Sequence, residues 1–590
     1  MTAFMRRYAL INKYRLLAAF IFVQGLLFGQ GSKVSQDMPA SGPVSIIIQY
    51  KTAPTVASGL NILGLGGLLN QLHSSLNALV ATIDAGRVRQ IAADPNVLYI
   101  SPDRSLNGML EYANPAVNAN IALQHGFDGT GVGIALIDSG VTVDADLNAE
   151  GLLGQLGLQS RVVYNQSFVS GQSAQDQYGH GTHVAGILAG DAALSSGGQY
   201  THTFRGIAPN AQIVNLRVLD GNGAGSDSAV ISAIERAVAL KSQYNIRVIN
   251  LSLGRPVYES FQQDPLCLAV EYAWKNGIAV VVAAGNFGRD NTSGNNGYGT
   301  ILSPANDPSV ITVGAMKDEQ TVTRTDDQIA SYSSKGPAAL DHIVKPDIVA
   351  PGNHIISIAQ LSSTLYREAR AAGVLIPLSY YWPGMNGNST QYFALNGTSM
   401  AAPMVSAAAA LLVQQDASLT PDQIKARLML TASKSFPTAS VATDPDTGAT
   451  YTSYYDIFTV GAGYLDIGAA LNDTHRASGS AASPTAVMDS STGSVHLADT
   501  NSLYSTGETT VWGSSNDFSL TTVWGSSALV SDSPDTPSGS TTVWGSTTVW
   551  GSTTVWGSTT VWGSTTVWGS TTVWGSTTVW GSGGVLQGEN

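Results

Sequence analysis

A single cysteine, Cys267, is all that a chain of 590 residues contains, so no intrachain disulfide can form. It lies in DPLCLAVEYAWKNG, a helix-like stretch, and reads as a buried, inert thiol. With no CxxC pair, a thiolate metal site and a dithiol redox couple are both excluded. Charge is also scarce: 12% of residues are charged, and the formal net charge is −13. No basic run stands out beyond the N-terminus, which excludes a nucleic-acid partner, because phosphate binding needs clustered Lys and Arg. No apolar run reaches the ~20 residues that span a bilayer. The run LLAAFIFVQGLLF (16–28) follows Arg6, Arg7, Lys13 and Arg15 and precedes Gly29-Gln30-Gly31. That pattern reads as a cleaved secretory signal peptide over residues 1–31, with an uncleaved N-terminal anchor as the rival. After signal cleavage no stable membrane span is expected. Export without disulfides implies a large domain held by its own apolar core.

What is there falls into segments. Residues 43–105 contain VSIIIQY (44–50) as a strand, GLGGLLNQLHSS as a helix, LNALVATI as a strand, AGRVRQIAAD as a helix and VLYISP (97–102) as a strand. This order predicts a small α+β sandwich of the ferredoxin-like kind. From 113 to 472 the pattern alternates strand and helix. VGIALI (132–137), AQIVNLRVL (211–219), RVINLSL (247–253) and IAVVVAA (278–284) are nearly all apolar, as strands buried on both faces are. SAVISAIERAVALKSQ (228–243) is one of the helices between them. The expectation is an α/β domain on a doubly wound, mostly parallel sheet. Residues 473–540 are rich in Ser, Thr, Ala, Gly and Asp and read as a linker. TTVWGS then recurs seven times in tandem over 541–582, with earlier copies at 509–514 and 521–526 and a short tail at 583–590. A six-residue period is even, so an extended chain turns every Trp to one face. A β-solenoid, a stack of hairpins, a disordered or self-associating tail, and an expansion without a role all remain open.

Ligands of doubly wound folds sit outside the carboxyl ends of the strands. There the sequence places Asp138 after VGIALI, Gly254 after RVINLSL, and Gly285 and Asn286 after IAVVVAA. His180 opens the helix of GHGTHVAGILAG, and Ser399 opens that of NGTSMAAPMVSAAAALLVQQ. A serine hydroxyl is a weak nucleophile that needs a base in reach and a third group to orient the base. Asp138, His180 and Ser399 supply those three chemistries. The helix N-terminus at Ser399 adds free N–H groups where an oxyanion develops. Pro403 is expected in the first turn or so, where its missing N–H costs little. Taken singly, each residue is equally a cap or turn residue. His180 and His183 at i and i+3 suit a metal site on spacing alone, but no HExxH and no neighbouring cysteine accompany them.

At these residues the chain resembles the subtilisin family of serine proteases. The matching stretches are ALIDSGV around Asp138, GHGTHVAG around His180, NLSLG at 250–254, AAGN at 283–286 and NGTSMAAP around Ser399. RGIAPNAQI, SYSSKGP and KPDIVAPG match more weakly. The chain order Asp, His, Ser is the one this family uses. The resemblance implies a secreted serine endopeptidase acting on protein or peptide substrates with no required cofactor. Ser399 attacks the scissile carbonyl, His180 relays its proton, and Asp138 holds the imidazole. Asn286 donates to the oxyanion, a donor worth about 3 kcal/mol on figures from this same family. Ser252, Leu253 and Gly254 pair with the substrate backbone as an added strand, and His183 is structural. Residues 43–105 correspond to a propeptide, an intramolecular inhibitor and folding aid whose tail includes PDRSL (102–106), with self-cleavage between about 104 and 114.

The departures carry expectations too. Met404 replaces a common histidine and should affect packing only. The segment 361–392 is long and should lie beside the cleft. Asp146 matches a family calcium ligand, so a structural calcium is possible, but DAALSSGGQYTHTF gives no clear calcium loop and no metal residue is assigned. Leu302 near the first specificity pocket favours small or medium apolar side chains. From a different class, the runner-up is a surface-interaction protein whose repeat tail binds or assembles and whose protease fold is only a carrier.

Overall fold

Alternation sets the first strand, β1 (Pro43–Tyr50): Ile46, Ile48 and Tyr50 point into a core while Gln49 faces out. The computed structural model describes residues 33–34, 38–73, 77–102, 113–149, 154, 156–291, 296–444, 448–474, 476–488, 495–498 and 578–581. The signal-peptide stretch, residues 103–112, the tail at 583–590 and all tandem repeats but part of the last lie outside them. Two units divide the chain after Asn107.

In the first unit, β1 leads to α1 (Val56–Gly64), β2 (Leu68–His73), β3 (Ala78–Asp84), α2 (Val88–Ala92) and β4 (Val97–Pro102). The sheet order is β2-β3-β1-β4, antiparallel throughout. That is the ferredoxin-like βαββαβ arrangement. The helix expected over 64–75 is misplaced, for it runs over Val56–Gly64, and Leu68–His73 is a strand. Thr55 starts the helix through a reciprocal capping box with Ser58. Gly66, at φ +81°, ends it in a conformation that other residues rarely adopt.

The second unit runs through β5 (Gly133–Asp138), β6 (Val162–Ser167), α3 (His180–Ala189), β7 (Gln212–Arg217), β8 (Ala224–Ser226), α4 (Asp227–Tyr244), β9 (Ile246–Leu251) and β10 (Leu253–Gly254). There follow α5 (Pro265–Lys275), β11 (Ala279–Ala283), β12 (Ile311–Lys317), β13 (Gln328–Ile329), β14 (Ile348–Pro351), β15 (Ile355–Ile358), α6 (Thr364–Ala372), β16 (Tyr392–Leu395) and α7 (Thr398–Gln415). The main sheet has the order β13-β12-β11-β9-β5-β7-β6, with β14 also on β12. All its pairings are parallel except that of the edge strand β13. Every residue of β5 and β11 is buried, as two covered faces demand. The helices α4 and α5 pack together on the sheet, and α3 and α7 form a second such pair.

The sheet is wound in two directions from β5, out to β7 and β6 on one side and to β9, β11, β12 and β14 on the other. The switch point is therefore the β5–β9 boundary, where a site is expected.

Part of the stretch expected as linker, 473–540, is folded against the second unit. Ser483 is buried and its hydroxyl donates to Asp347 Oδ1 at 2.5 Å. The Val344 N–H donates to the Pro484 carbonyl at 2.9 Å. A hairpin of β19 (Thr485–Met488) with β20 (Val495–Ala498) follows, after the earlier hairpin of β17 (Ala439–Thr443) with β18 (Thr450–Tyr454). Small polar residues look like linker in sequence, yet here they satisfy a buried carboxylate.

Candidate active site

β5 delivers Asp138 at its last position, and the register with β9 sets Ile137 opposite Leu251. Asp138 and Ser252 therefore leave adjacent strands side by side. Asp138 Oδ1 accepts from the Ser139 N–H at 2.7 Å and lies 2.7 Å from His180 Nδ1, both side chains being fully buried. With the carboxylate on Nδ1, the proton sits there and Nε2 is left as the acceptor. His180 Nε2 has no partner among the described residues. Burial pulls the imidazole pKa down, but the Asp138 charge and hydrogen bond outweigh it and leave the pKa raised above 6.5.

His180 is the first residue of α3, and its approach to Asp138 depends on the residue after it. A Cβ at Gly181 would fall 2.2 Å from the Gly140 carbonyl and 3.2 Å from the Asp138 side chain. The loop before α3 is held by Asp176, which sequence reasoning did not single out. Its Oδ1 accepts from the Gly179 N–H at 2.7 Å, the Tyr178 N–H at 3.1 Å and the Ser139 hydroxyl at 2.8 Å. Its Oδ2 accepts from the Thr182 N–H at 2.8 Å. Burial nevertheless raises its pKa. In SAQDQYGHG nothing separates Asp176 from an ordinary turn aspartate.

Ser399 is the second residue of α7, where it meets the end of β9. Its Oγ donates to the Ser252 carbonyl at 3.2 Å, long for such a bond. The Ser252 hydroxyl in turn donates to the Ser399 carbonyl at 2.9 Å. Pro403 explains why that carbonyl is available. It lies in the second turn of α7, later than expected, and it lacks the N–H that would bond to Ser399 O four residues back. The missing helix bond is replaced by Ser252. Behind it, Asn250 Nδ2 donates to Ser252 Oγ at 3.0 Å and the Ser406 hydroxyl donates to Asn250 Oδ1 at 2.8 Å. Neither was singled out from sequence, though a polar residue inside RVINLSL and another inside MVSAAAALL were the available signals.

Asn286 follows β11. Its Oδ1 accepts from the Thr398 N–H at 2.9 Å and the Thr398 hydroxyl at 3.1 Å. That fixes the amide so that Nδ2 faces the other way, without a partner among the described residues. Gly397, at φ +150°, keeps the space: a Cβ there would lie 3.0 Å from Asn286 Nδ2. Leu253 and Gly254 form β10, and Leu302 sits behind Gly254, 3.0 Å from where a Cβ would be.

Asp138, His180, Ser252, Leu253, Gly254, Asn286 and Ser399 thus all lie around the ends of β5, β9 and β11. His183 does not join them. Its Nε2 is 3.0 Å from the Ile355 carbonyl and 3.2 Å from that of Phe393, and burial pushes its pKa down to about 3. Asp146 is held by protein donors: its Oδ1 accepts from the Leu194 N–H at 2.9 Å and its Oδ2 from the Tyr392 hydroxyl at 2.5 Å. Burial raises its pKa to about 7. Among the described residues no group of three or more His, Cys, Asp or Glu could hold a metal, and no helix is long and apolar enough to cross a membrane. The segment 361–392 packs beside the site: the Leu365 N–H donates to the Tyr178 carbonyl at 3.0 Å and the Thr364 hydroxyl to that of Gly221 at 2.7 Å.

A doubly wound sheet with these groups at its switch point defines a serine endopeptidase of the α/β kind. Residues 129–454 match the model of the subtilase family, and the chain belongs to that family. It is 34% identical over 370 residues to serine protease AprX of Bacillus subtilis, covering 60% of this chain and 74% of that protein. It is 32% identical over 373 residues to subtilisin E of the same species, covering 62% and 78%. An alkaline protease of Shouchella clausii is 32% identical over 349 residues, covering 58% and 71%.

Proposed function

We propose that the protein is a secreted serine endopeptidase made as a self-processing zymogen, with Asp138, His180 and Ser399 as its catalytic triad. The observation that carries the reading is the 2.7 Å contact of Asp138 with His180 Nδ1, with Nε2 left unpartnered at the strand ends that also hold Ser399. Rotation of Ser399 about χ1 exchanges the long bond to Ser252 for one to His180 Nε2. His180 then takes the hydroxyl proton as Oγ attacks the scissile carbonyl, and Asp138 stabilises the imidazolium. The oxyanion accepts from Asn286 Nδ2 and the Ser399 N–H at the α7 N-terminus. Proton return to the leaving amine gives an acyl-enzyme, and water repeats the cycle to release it. Leu253 and Gly254 offer the substrate a strand edge, and Leu302 behind Gly254 favours small or medium apolar side chains in the first pocket.

Residues 1–31 act as the export signal, and the ferredoxin-like unit acts as the inhibitory propeptide, removed by cleavage between about 104 and 114. A fluorophosphonate should label Ser399 in the purified chain, and a chelator alone should not prevent it. N-terminal sequencing should find the first unit released from the parent but retained in Ser399→Ala. Release from the purified variant would exclude self-processing, and absence of labelling would exclude the nucleophile.

A further inference from the structure

β8 and β10 have only three and two residues, and the strand between them is not their neighbour in sequence. It is β21 (Thr578–Gly581), the TVWG of the last tandem repeat, which completes a sheet of order β10-β21-β8. The pairing is antiparallel on both sides. Thr578, Val579 and Trp580 lie opposite Ser226, Gly225 and Ala224, while Trp580 and Gly581 lie opposite Gly254 and Leu253. β10 is the edge assigned above to substrate, so β21 occupies the place of an added substrate strand. Its direction is also the productive one. Gly581 pairs nearer to Ser252 than Trp580 does, so the C-terminal end of β21 is the end turned to Ser252, whose carbonyl receives the Ser399 hydroxyl.

We propose that the substrate cleft takes the chain's own TTVWGS repeat as an intramolecular ligand that competes with protein substrates. This rests on the reading of Ser399 as the nucleophile. Three features of the chain favour an occupant in cis. Residues 499–577 separate the last strand of the folded unit from β21; at ~3.3–3.6 Å per residue that length does not limit reach. Tethering supplies an effective concentration on the order of mM without any tight contact. The repeat is uncharged, rich in β-prone Thr, Val and Trp, and free of proline, so it suits strand addition, and identical copies offer the same strand repeatedly.

The test uses the full-length chain. Val579→Pro, with the same change at the other eight repeat valines, keeps the length and charge but removes backbone donors and strand geometry. With a fluorogenic peptide substrate the proline variant should show a KM at least five-fold lower at unchanged kcat, the signature of a lost competitor. Fluorophosphonate labelling of Ser399 should accelerate by a similar factor. Added TTVWGS hexapeptide should raise the KM of the variant, and a scrambled hexapeptide should not. Equal KM and equal labelling rates in two active chains would overturn the proposal while leaving the catalytic reading intact. Labelling of neither chain would sink the catalytic reading and this one with it. A parental KM that rises with enzyme concentration would put the strand in a neighbouring molecule's cleft and overturn the assignment in cis.

Discussion

The two units bury different things. Among the described residues of the first unit, the buried side chains are apolar apart from the Tyr50 hydroxyl, whose pKa burial pushes up to about 12. The second unit buries Asp138, Asp176, His180, Asn250, Ser252 and Ser399. A buried polar group costs free energy unless it is bonded, so a fold keeps several only where a network satisfies them. Here the networks include atoms that have no partner among the described residues: Asp138 Oδ2, His180 Nε2 and Asn286 Nδ2. The large core positions chemistry, whereas the small one supplies only shape. Exposed apolar side chains occur on both units: Leu60 on α1 and Leu68 and Leu72 on β2 of the first, Leu156 and Leu158 of the second. On β2, Leu68 lies opposite Thr82 and Leu72 opposite Leu79, so these two leave the strand on opposite faces.

The comparison breaks first at Asn286. If its amide exists to meet developing charge, Asn286→Ala should lower kcat about 10²–10³-fold with KM little changed. A change confined to KM would make Asn286 a part of the packing, like the side chains of the first unit.

Equal deletions in the two cores come next. Leu136→Ala and Ile48→Ala each remove a fully buried aliphatic side chain and should each cost about 2–5 kcal/mol. The outcomes should differ, because a domain of some 60 residues has little stability to lose. Ile48→Ala should leave the first unit unfolded by hydrogen exchange while the second keeps its protection. Leu136→Ala should lower the denaturation midpoint of the second unit without unfolding it. Equal protection of both units in both variants would mean that the small core is no weaker than the large one.

A smaller effect separates the two through pH. If His180 takes the Ser399 proton it must be neutral to do so, and Asp138 raises its pKa above 6.5. Activity should therefore fall about tenfold per pH unit below that raised value, with the acid limb beginning above ~6.5. Activity that stays level well below pH 6 would exclude an Asp138-paired histidine as the base.

Legibility in the sequence follows the same division. The strands of the second unit were readable because burial on both faces leaves continuous apolar runs, as in VGIALI and IAVVVAA. The site was readable because its residues stand where those runs stop. What escaped were residues whose role depends on contacts distant in sequence. Asp176 looks like any turn aspartate until four donors converge on it. Pro403 looks like a first-turn proline until the register shows that it frees the Ser399 carbonyl. Ser483 looks like linker until Asp347 meets it. In the first unit, GLGGLLNQLHSS is ambiguous because a half-exposed edge strand keeps leucines at spacings a helix also uses, and only the left-handed Gly66 decides between them.

The smallest expected effect falls on the exposed leucines. Leu60 lies on α1 with most of its surface in water, and a surface change away from caps and networks is usually worth no more than ~0.5 kcal/mol. Leu60→Ser should therefore leave the thermal midpoint of the first unit nearly unchanged. A midpoint that drops by several degrees would place Leu60 inside a core.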